Sequence, residues 1–259
     1  MVSKLFSALF KLIPENGMKN QIRAIVHRLR FKEYKTFYRN NVWELHYPNF
    51  VLKYKDVPSP ATVNYLFFKN FTDRKFETII DAGGFMGTYG FLMASRYPDA
   101  EVYIFEADPV NYQRIKTNLS LNDLPNVIIE KTGLWSKPDK LKMSVGSDLA
   151  SSVVNSKSTN ATVEIDVTSL DEYFKNVKGK IVFLKMNIEG AEIAALKGAT
   201  NFLANNLVDL CICTDHLVDG EMSYIAVEKI LAEFKIPFET LRDGMYINTY
   251  ASNIRKTYG

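Results

Sequence analysis

The sequence predicts an α/β fold built on an open, mostly parallel sheet covered on both faces, with an antiparallel hairpin closing the chain. Three observations predict it. From about residue 76, short apolar segments alternate with segments of helical character. The middles of the short segments are apolar throughout, as in strands buried on both faces. Several of them end in an acid or a glycine turn, the edge at which an open parallel sheet binds ligands. The 259 residues, 47% apolar and 24% charged, describe an ordinary globular protein whose core needs neither disulfides nor a structural metal.

The elements follow in order. FETIIDAG (76–83) is a first strand ending in Asp81 and glycine, and a helix over about 87–97 runs to the Pro98-Asp99 break. EVYIFEA (101–107) is a second strand closed by Glu106, and Pro109 suits the first turn of a helix reaching about Leu121. NVIIEKTGL (126–134) gives a third strand. KLKMSV and ATVEIDV alternate apolar and polar residues around the Ser/Asn-rich stretch 146–160, so they read as a two-stranded excursion. SLDEYFKN (169–176) opens with a Ser cap and reads as a short helix. IVFLKMN (181–187) is the fourth core strand, 191–206 the next helix, VDLCICTD (208–215) the fifth strand, and about 222–235 a further helix. PFETLR, Asp243-Gly244 and MYINTYASNI form the closing hairpin by their turn chemistry.

The first part of the chain differs in character. Residues 1–40 hold nine Lys or Arg against two Glu, a net +7, which leaves the rest near −4 within a total of +3. We divide the chain into a basic, partly helical segment, 1–70, and the α/β domain, 71–259. Leu5, Phe6, Leu9, Phe10, Leu12 and Ile13 fall on one helical stripe, so residues 1–14 either lie on an anionic membrane surface or dock on this domain or a second subunit. No apolar stretch reaches the ~20 residues of a membrane span. Cys211 and Cys213 fit buried reduced thiols, and the expected location is the cytoplasm, with the inner membrane surface as the alternative. With three histidines and no cysteine spacing of a metal site, no metal is expected.

DAGGFMGTYG (81–90) fails the G-x-G-x-x-G dinucleotide pattern but carries an acid two before Gly83 and a further glycine at 87. A carboxylate at that turn repels a pyrophosphate and attracts a sulfonium or amino group, so Asp81 favours S-adenosylmethionine over NAD. Glu106, at the end of the second strand, sits where an acid accepts hydrogen bonds from both ribose hydroxyls.

DAGGFMGTYGF, VYIFEADPVNYQRIKTNLSLN, VTSLDEYF and FLKMNIEGAEIAALKGA, in this order over residues 76 to about 216, resemble the FkbM family of methyltransferases. The resemblance implies a Rossmann-like class I methyltransferase sheet, S-adenosylmethionine as methyl donor, and O-methylation of a sugar or natural-product hydroxyl. It places Asp81, Gly83, Gly84 and Gly87 at the methionine end of the donor and Glu106 on the ribose, with Asp108 and Asn111 supporting that loop. Gly133, Leu134 and, in the Ser-rich loop, Ser152 fall near the adenine, while Asp171 is expected to cap a helix. Two departures stand out: the turn reads Ala-Gly-Gly-Phe where the family commonly has Gly-Ala-Asn, and Asn187 replaces the Asp of Lys-x-Asp-x-Glu-Gly.

Asn187 can donate and accept hydrogen bonds but cannot take a proton. The candidate catalytic set is therefore Lys185, Asn187, Glu189 and His216, with Glu189, His216 or a water as base and Lys185 countering the acids. Glu189 and Glu192 are also favoured at a helix start by the helix dipole. The expected acceptor is a glycan, a glycolipid or a small hydroxylated metabolite, and the chain could form a homo-oligomer. Two alternatives stay open. One is a nucleic-acid methyltransferase using Lys19, Arg23, Arg28, Arg30, Lys32, Lys35 and Arg39 as an arm, disfavoured because no N-P-P-Y-like motif follows the fourth strand. The other is a donor-binding module whose chemistry Asn187 has impaired.

Overall fold

A computed structural model describes residues 17–30, 34–58, 74–144, 162–243 and 246–254. The stripe at 1–14, Ser152 and the Gly244 of the closing turn lie outside the described residues.

The chain enters through helix α1 (Gly17–Arg30) and an antiparallel meander, β1 (Lys35–Arg39), β2 (Val42–His46) and β3 (Val51–Tyr54). The meander is a departure from the sequence reading, which gave no strands here. Its turn is Asn40-Asn41, both left-handed (φ 51° and 60°), a conformation asparagine tolerates and a two-residue hairpin requires. Trp43, Leu45, Leu52 and Tyr54 alternate inward and are fully buried. They join Phe91, Leu92 and Ile104 in one core cluster, so a single core crosses the boundary drawn near residue 70.

The main sheet then begins with β4 (Thr78–Ala82), α2 (Thr88–Arg96), β5 (Glu101–Phe105), α3 (Pro109–Leu119) and β6 (Val127–Glu130). The expected third strand is broken after Glu130. Thr132 turns the chain by donating from its hydroxyl to Asp166 O (3.0 Å), and β7 (Gly133–Leu134) leaves the main sheet to pair with β9. With β8 (Asp139–Ser144) and β9 (Thr162–Thr168) it makes a separate three-stranded sheet. Helix α4 (Leu170–Tyr173) is capped by the Ser169 hydroxyl, as its sequence implies.

After β10 (Ile181–Met186), the helix expected over 191–206 is two helices, α5 (Glu192–Lys197) and α6 (Thr200–Asn205). The break sits at Gly198, where a Cβ would lie 2.3 Å from Trp135 O; the passing backbone leaves no room for a side chain. Asp171 accepts from Phe202 N (2.7 Å), in the first turn of α6, and so caps the second piece from a neighbouring element. The chain ends with β11 (Leu207–Cys213), a small hairpin of β12 (Leu217–Val218) and β13 (Glu221–Met222), α7 (Ser223–Glu233), β14 (Phe238–Asp243) and β15 (Tyr246–Ser252).

The seven-stranded sheet has the order β14-β15-β11-β10-β4-β5-β6. β11, β10, β4, β5 and β6 are parallel, and β15 runs antiparallel to both its neighbours. Successive residues of a strand serve opposite faces: Ile79 and Phe183 pack with the meander, α2 and α3, whereas Ile80, Val182 and Leu184 pack with α4, α5, α6 and α7. That double coverage is why these strands read as unbroken apolar runs. Progression of the sheet reverses between β4 and β10, and the crevice beyond their carboxyl ends is where the polar residues converge.

Candidate functional site

Asp81 and Lys185 are register partners on β4 and β10, and their side chains lie on the same face. Lys185 Nζ donates to Asp81 Oδ1 (2.7 Å), to Gly83 O (2.9 Å) and to Ala82 O (3.2 Å), and both side chains are buried. The other Asp81 oxygen accepts from Gly90 N (3.0 Å) in the first turn of α2. Because the residue capping α2, Gly87, has no side chain to offer, Asp81 does the capping from the neighbouring strand. The sequence placed Asp81 against a cationic ligand; its charge is instead met inside the protein by Lys185, and the pair fastens the glycine turn. Lys185 thus pairs with Asp81 on the neighbouring strand, not with the acids that follow it in the chain.

The turn itself is as tight as backbone allows. Gly83 has φ +81°, and a Cβ there would fall 2.0 Å from the carbonyl oxygen of Asn187. A Cβ on Gly84 would meet Ile104 at 2.2 Å. Gly83 N and Gly84 N both donate to Phe105 O (3.0 and 3.1 Å), tying the turn to the end of β5. Phe85 follows in the left-handed region (φ 54°), and Gly87 (φ +84°) starts α2.

Glu106 stands next to this turn, 8% exposed, with Oε2 accepting from Phe85 N (2.7 Å) and Oε1 from Asp108 N (2.9 Å). Burial pushes its carboxyl up to about 7, and the two backbone N–H groups only partly offset that. Asp108 is the N-cap of α3, its Oδ1 accepting from Val110 N and Asn111 N ahead of Pro109 at the first helical position. Asn111 accepts from Arg114 Nη1 (3.1 Å) on the same helix. Gly133 faces Ala107, with room limited to 3.3 Å for a Cβ, while Leu134 is 2% exposed within the core below. Gly133 thus borders the Glu106 loop, and Leu134 backs it.

Beyond β10 the chain makes a strained turn. Glu189 (φ 56°) and Gly190 (φ 99°) are both left-handed. The fully buried Glu192 holds them there: Oε1 accepts from Ile188 N (2.8 Å) and Oε2 from Gly190 N (2.9 Å). Asn187 N donates to Ala82 O (3.1 Å), which locks the two turns together, and Asn187 Oδ1 is buried without a hydrogen-bond partner. Strain of this kind, in a non-glycine residue at a sheet edge, is a mark of functional turns.

His216 completes the cluster from the end of β11. Its Nδ1 lies 3.4 Å from Glu192 Oε1, and its Nε2 3.5 Å from Glu189 Oε2 and 3.6 Å from Asp215 Oδ1. These are charge contacts without hydrogen-bond alignment. Burial alone would lower the imidazole pKa, but Glu192 first, then Glu189 and Asp215, outweigh it and hold the ring up at about 9. Those charges favour the imidazolium at neutral pH, which counts against His216 among the three bases the sequence left open. Burial raises the Glu189 carboxyl, and the His216 charge pulls it back. Cys213 donates to Asp215 Oδ1 (3.2 Å), and both cysteines are free and buried. Cys213, Asp215 and His216 bring three atoms able to ligate a metal within 4.8 Å of one another, a grouping the sequence reading did not anticipate.

Two residues that the sequence reading left aside matter here. Asn118, 0% exposed, accepts from Lys55 N (2.9 Å) and donates to Met86 O (3.0 Å), so it joins the meander to the glycine turn. Its signal was its place seven residues after Asn111 in the quoted helix motif. Gly190 also borders a cavity of about 500 Å³ shared with Trp135, Ile193, Val218 and Met222.

Comparison with known proteins gives a family and a fold. The family description "Methyltransferase FkbM domain" matches residues 83–240. Methyltransferase 1 of Beauveria bassiana (strain ARSEF 2860) is 24% identical over 159 residues, covering 51% of this chain and 64% of that protein. Methyltransferase sdnD of Sordaria araneosa is 27% identical over 181 residues, covering 54% of this chain and 70% of that one. The crystal structure of methyltransferase FkbM from Methylobacillus flagellatus KT superposes with a TM-score of 0.54 at 18% identity, over 76% of this chain and 49% of that chain. The chain thus spans between 49% and 70% of the length of these relatives, and the structural likeness speaks for the fold.

Proposed function

The chain belongs to the FkbM methyltransferase family, and from that membership and the site geometry we propose an S-adenosylmethionine-dependent O-methyltransferase. Its acceptor is a hydroxyl on a glycan, a glycolipid or a small metabolite. The observation that carries the reading is the orphan acceptor at Asn187. Its Oδ1 is buried without a partner, on the residue whose backbone carbonyl closes the Cβ position of Gly83. A buried amide oxygen left unpaired costs about 1–3 kcal/mol, and a ligand amino group at the turn would satisfy it.

The residues present fit the donor. Gly83 and Gly84 let backbone approach it, Asn187 Oδ1 accepts from its amino group, and Glu106 accepts from the ribose hydroxyls with the lone pairs not used by Phe85 N and Asp108 N. When bound, the donor supplies a methyl group already activated on a sulfonium, so the protein's work is alignment and removal of one proton. Glu189 does the second task. Its side chain is 30% exposed, which leaves the carboxylate open to an acceptor hydroxyl. Glu189 would take the acceptor's hydroxyl proton as the methyl group is transferred to that oxygen. His216, held cationic chiefly by Glu192, moderates the repulsion among the three neighbouring acids, Glu189, Glu192 and Asp215. Asn187 orients and takes no proton. The cavity beside Gly190 is the candidate recess for the rest of the acceptor.

The test uses methyl-labelled donor with polyhydroxylated acceptors, followed by treatment with mild base. Label that resists base and a rate lowered ~10²-fold or more by Glu189→Gln agree with ether formation and general-base assistance. Base-labile label, label on an amine, or a Glu189→Gln variant of full activity would overturn the reading.

A further inference from the structure

Helix α1 is turned inside out, and the pattern of its two faces identifies a surface for another partner. At 100° per residue, Met18, Ile22, Ile25 and Leu29 line one face with Val26 beside them. In a helix docked by its apolar stripe these residues would be the buried ones. Here Met18 is 67% exposed, Ile25 48% and Leu29 81%. The face turned to the protein carries Lys19 at 5% exposure, Ala24, and His27, whose ring lies 6.1 Å from that of Trp43. The meander therefore holds the helix by its polar side and presents its apolar side outward.

The surroundings of that face are cationic. Arg28 and Arg39 stack over the Phe37 ring at 4.9 and 4.5 Å, and exposed Lys35 lies on the same strand as Phe37. The first forty residues carry a net +7 within a chain whose remainder is near −4. A second copy of this chain would bring the same positive charge to the contact, which opposes self-association through it. A surface that offers both hydrocarbon and negative charge answers both features. No helix among the described residues is long and apolar enough to cross a membrane, so the contact would lie along the surface.

We infer that α1 seats the protein on an anionic lipid bilayer, with Met18, Ile25, Val26 and Leu29 entering the interface and Arg28, Lys35 and Arg39 facing the headgroups. This inference stands apart from the methyl-transfer reading, because it uses none of the residues of the crevice.

Vesicle flotation of the full chain tests it, with phosphatidylcholine alone and with a mixture containing phosphatidylserine, at low and high salt. Wild type is compared with Ile25→Ser/Leu29→Ser, whose exposed positions leave the core untouched; melting and gel filtration accompany both. Expected is retention on the anionic vesicles only, falling about tenfold or more in the double variant and at high salt. No retention of wild type overturns the inference. So does equal retention of the double variant, which would assign the contact to residues 1–16, and so does a wild-type dimer that the double variant breaks without any lipid binding.

Discussion

Gly83 is the point where the two turns of the crevice touch, since its missing side chain is what lets the Asn187 carbonyl approach. Gly83→Ala places a Cβ 2.0 Å from that oxygen in a backbone at φ +81°, where an L side chain is already strained. Chemical denaturation of this variant is expected to show a loss of about 1–3 kcal/mol, together with weakened donor binding. Unchanged stability would mean that the turns can part freely. Glu192 makes a comparable case. Glu192→Gln keeps the shape but replaces one acceptor by a donor, so either Ile188 N or Gly190 N loses its partner in a fully buried place. The expected cost is about 1–3 kcal/mol by the same measurement, and a variant as stable as wild type would contradict the clamp. At this scale the residues that end strands were legible, because acids and glycines there are few and their spacing is meaningful. What each one touches was not: nothing in the local sequence says that Asp81 is met by Lys185, 104 residues away, rather than by a ligand.

At the scale of elements, the meander reaches the donor turn through α3. Lys53 is bound to Asn122 through both its N–H and its carbonyl, and Lys55 N donates to Asn118, whose amide continues to Met86 O. Asn118→Ala removes both ends of that bridge. We expect it to cost about 2–4 kcal/mol and to weaken donor binding, read by melting and by titration; loss of neither would show that the meander and the turn are uncoupled. The core strands and long helices were legible because double burial makes apolar runs and caps mark helix starts. The meander was not, although Asn40-Asn41 is a hairpin signal, because Lys32, Lys35 and Arg39 interrupt the apolar alternation that would mark its first strand. The breaks at Glu130 and Gly198 arise from contacts with β9 and with the Trp135 backbone, which are tertiary and leave no local mark.

At the scale of the whole molecule, one sheet carries two cores, and the first is shared with the N-terminal elements. A chain beginning at Arg74 would lack Trp43, Leu45, Leu52 and Tyr54, each fully buried now, and would uncover the residues they pack against, leaving Phe91 without the ring stacked on it at 6.0 Å. Losing buried side chains of this size costs about 2–5 kcal/mol each, against a total stability of about 5–15 kcal/mol. Such a chain is expected to lack a sharp thermal transition, and a melting point near that of the full chain would contradict a shared core. The central claim, a donor site at the crevice of β4, β5 and β10, turns on Glu106. With its carboxyl raised to about 7, the proton favours the folded protein at low pH, and that contribution is lost as pH rises through 7. Only the ionised form accepts freely from both ribose hydroxyls, so donor binding gains over the same window. The measurement is calorimetric titration of S-adenosylmethionine, and then NAD, at pH 6 and pH 8 into wild type and Glu106→Gln, the variant also controlling for titration of the donor itself. The account predicts S-adenosylmethionine binding about tenfold tighter at pH 8 in wild type. It also predicts binding weaker by about tenfold or more in Glu106→Gln at pH 8, without that pH gain, and no NAD binding. NAD binding, or S-adenosylmethionine binding indifferent to both pH and the substitution, would contradict it.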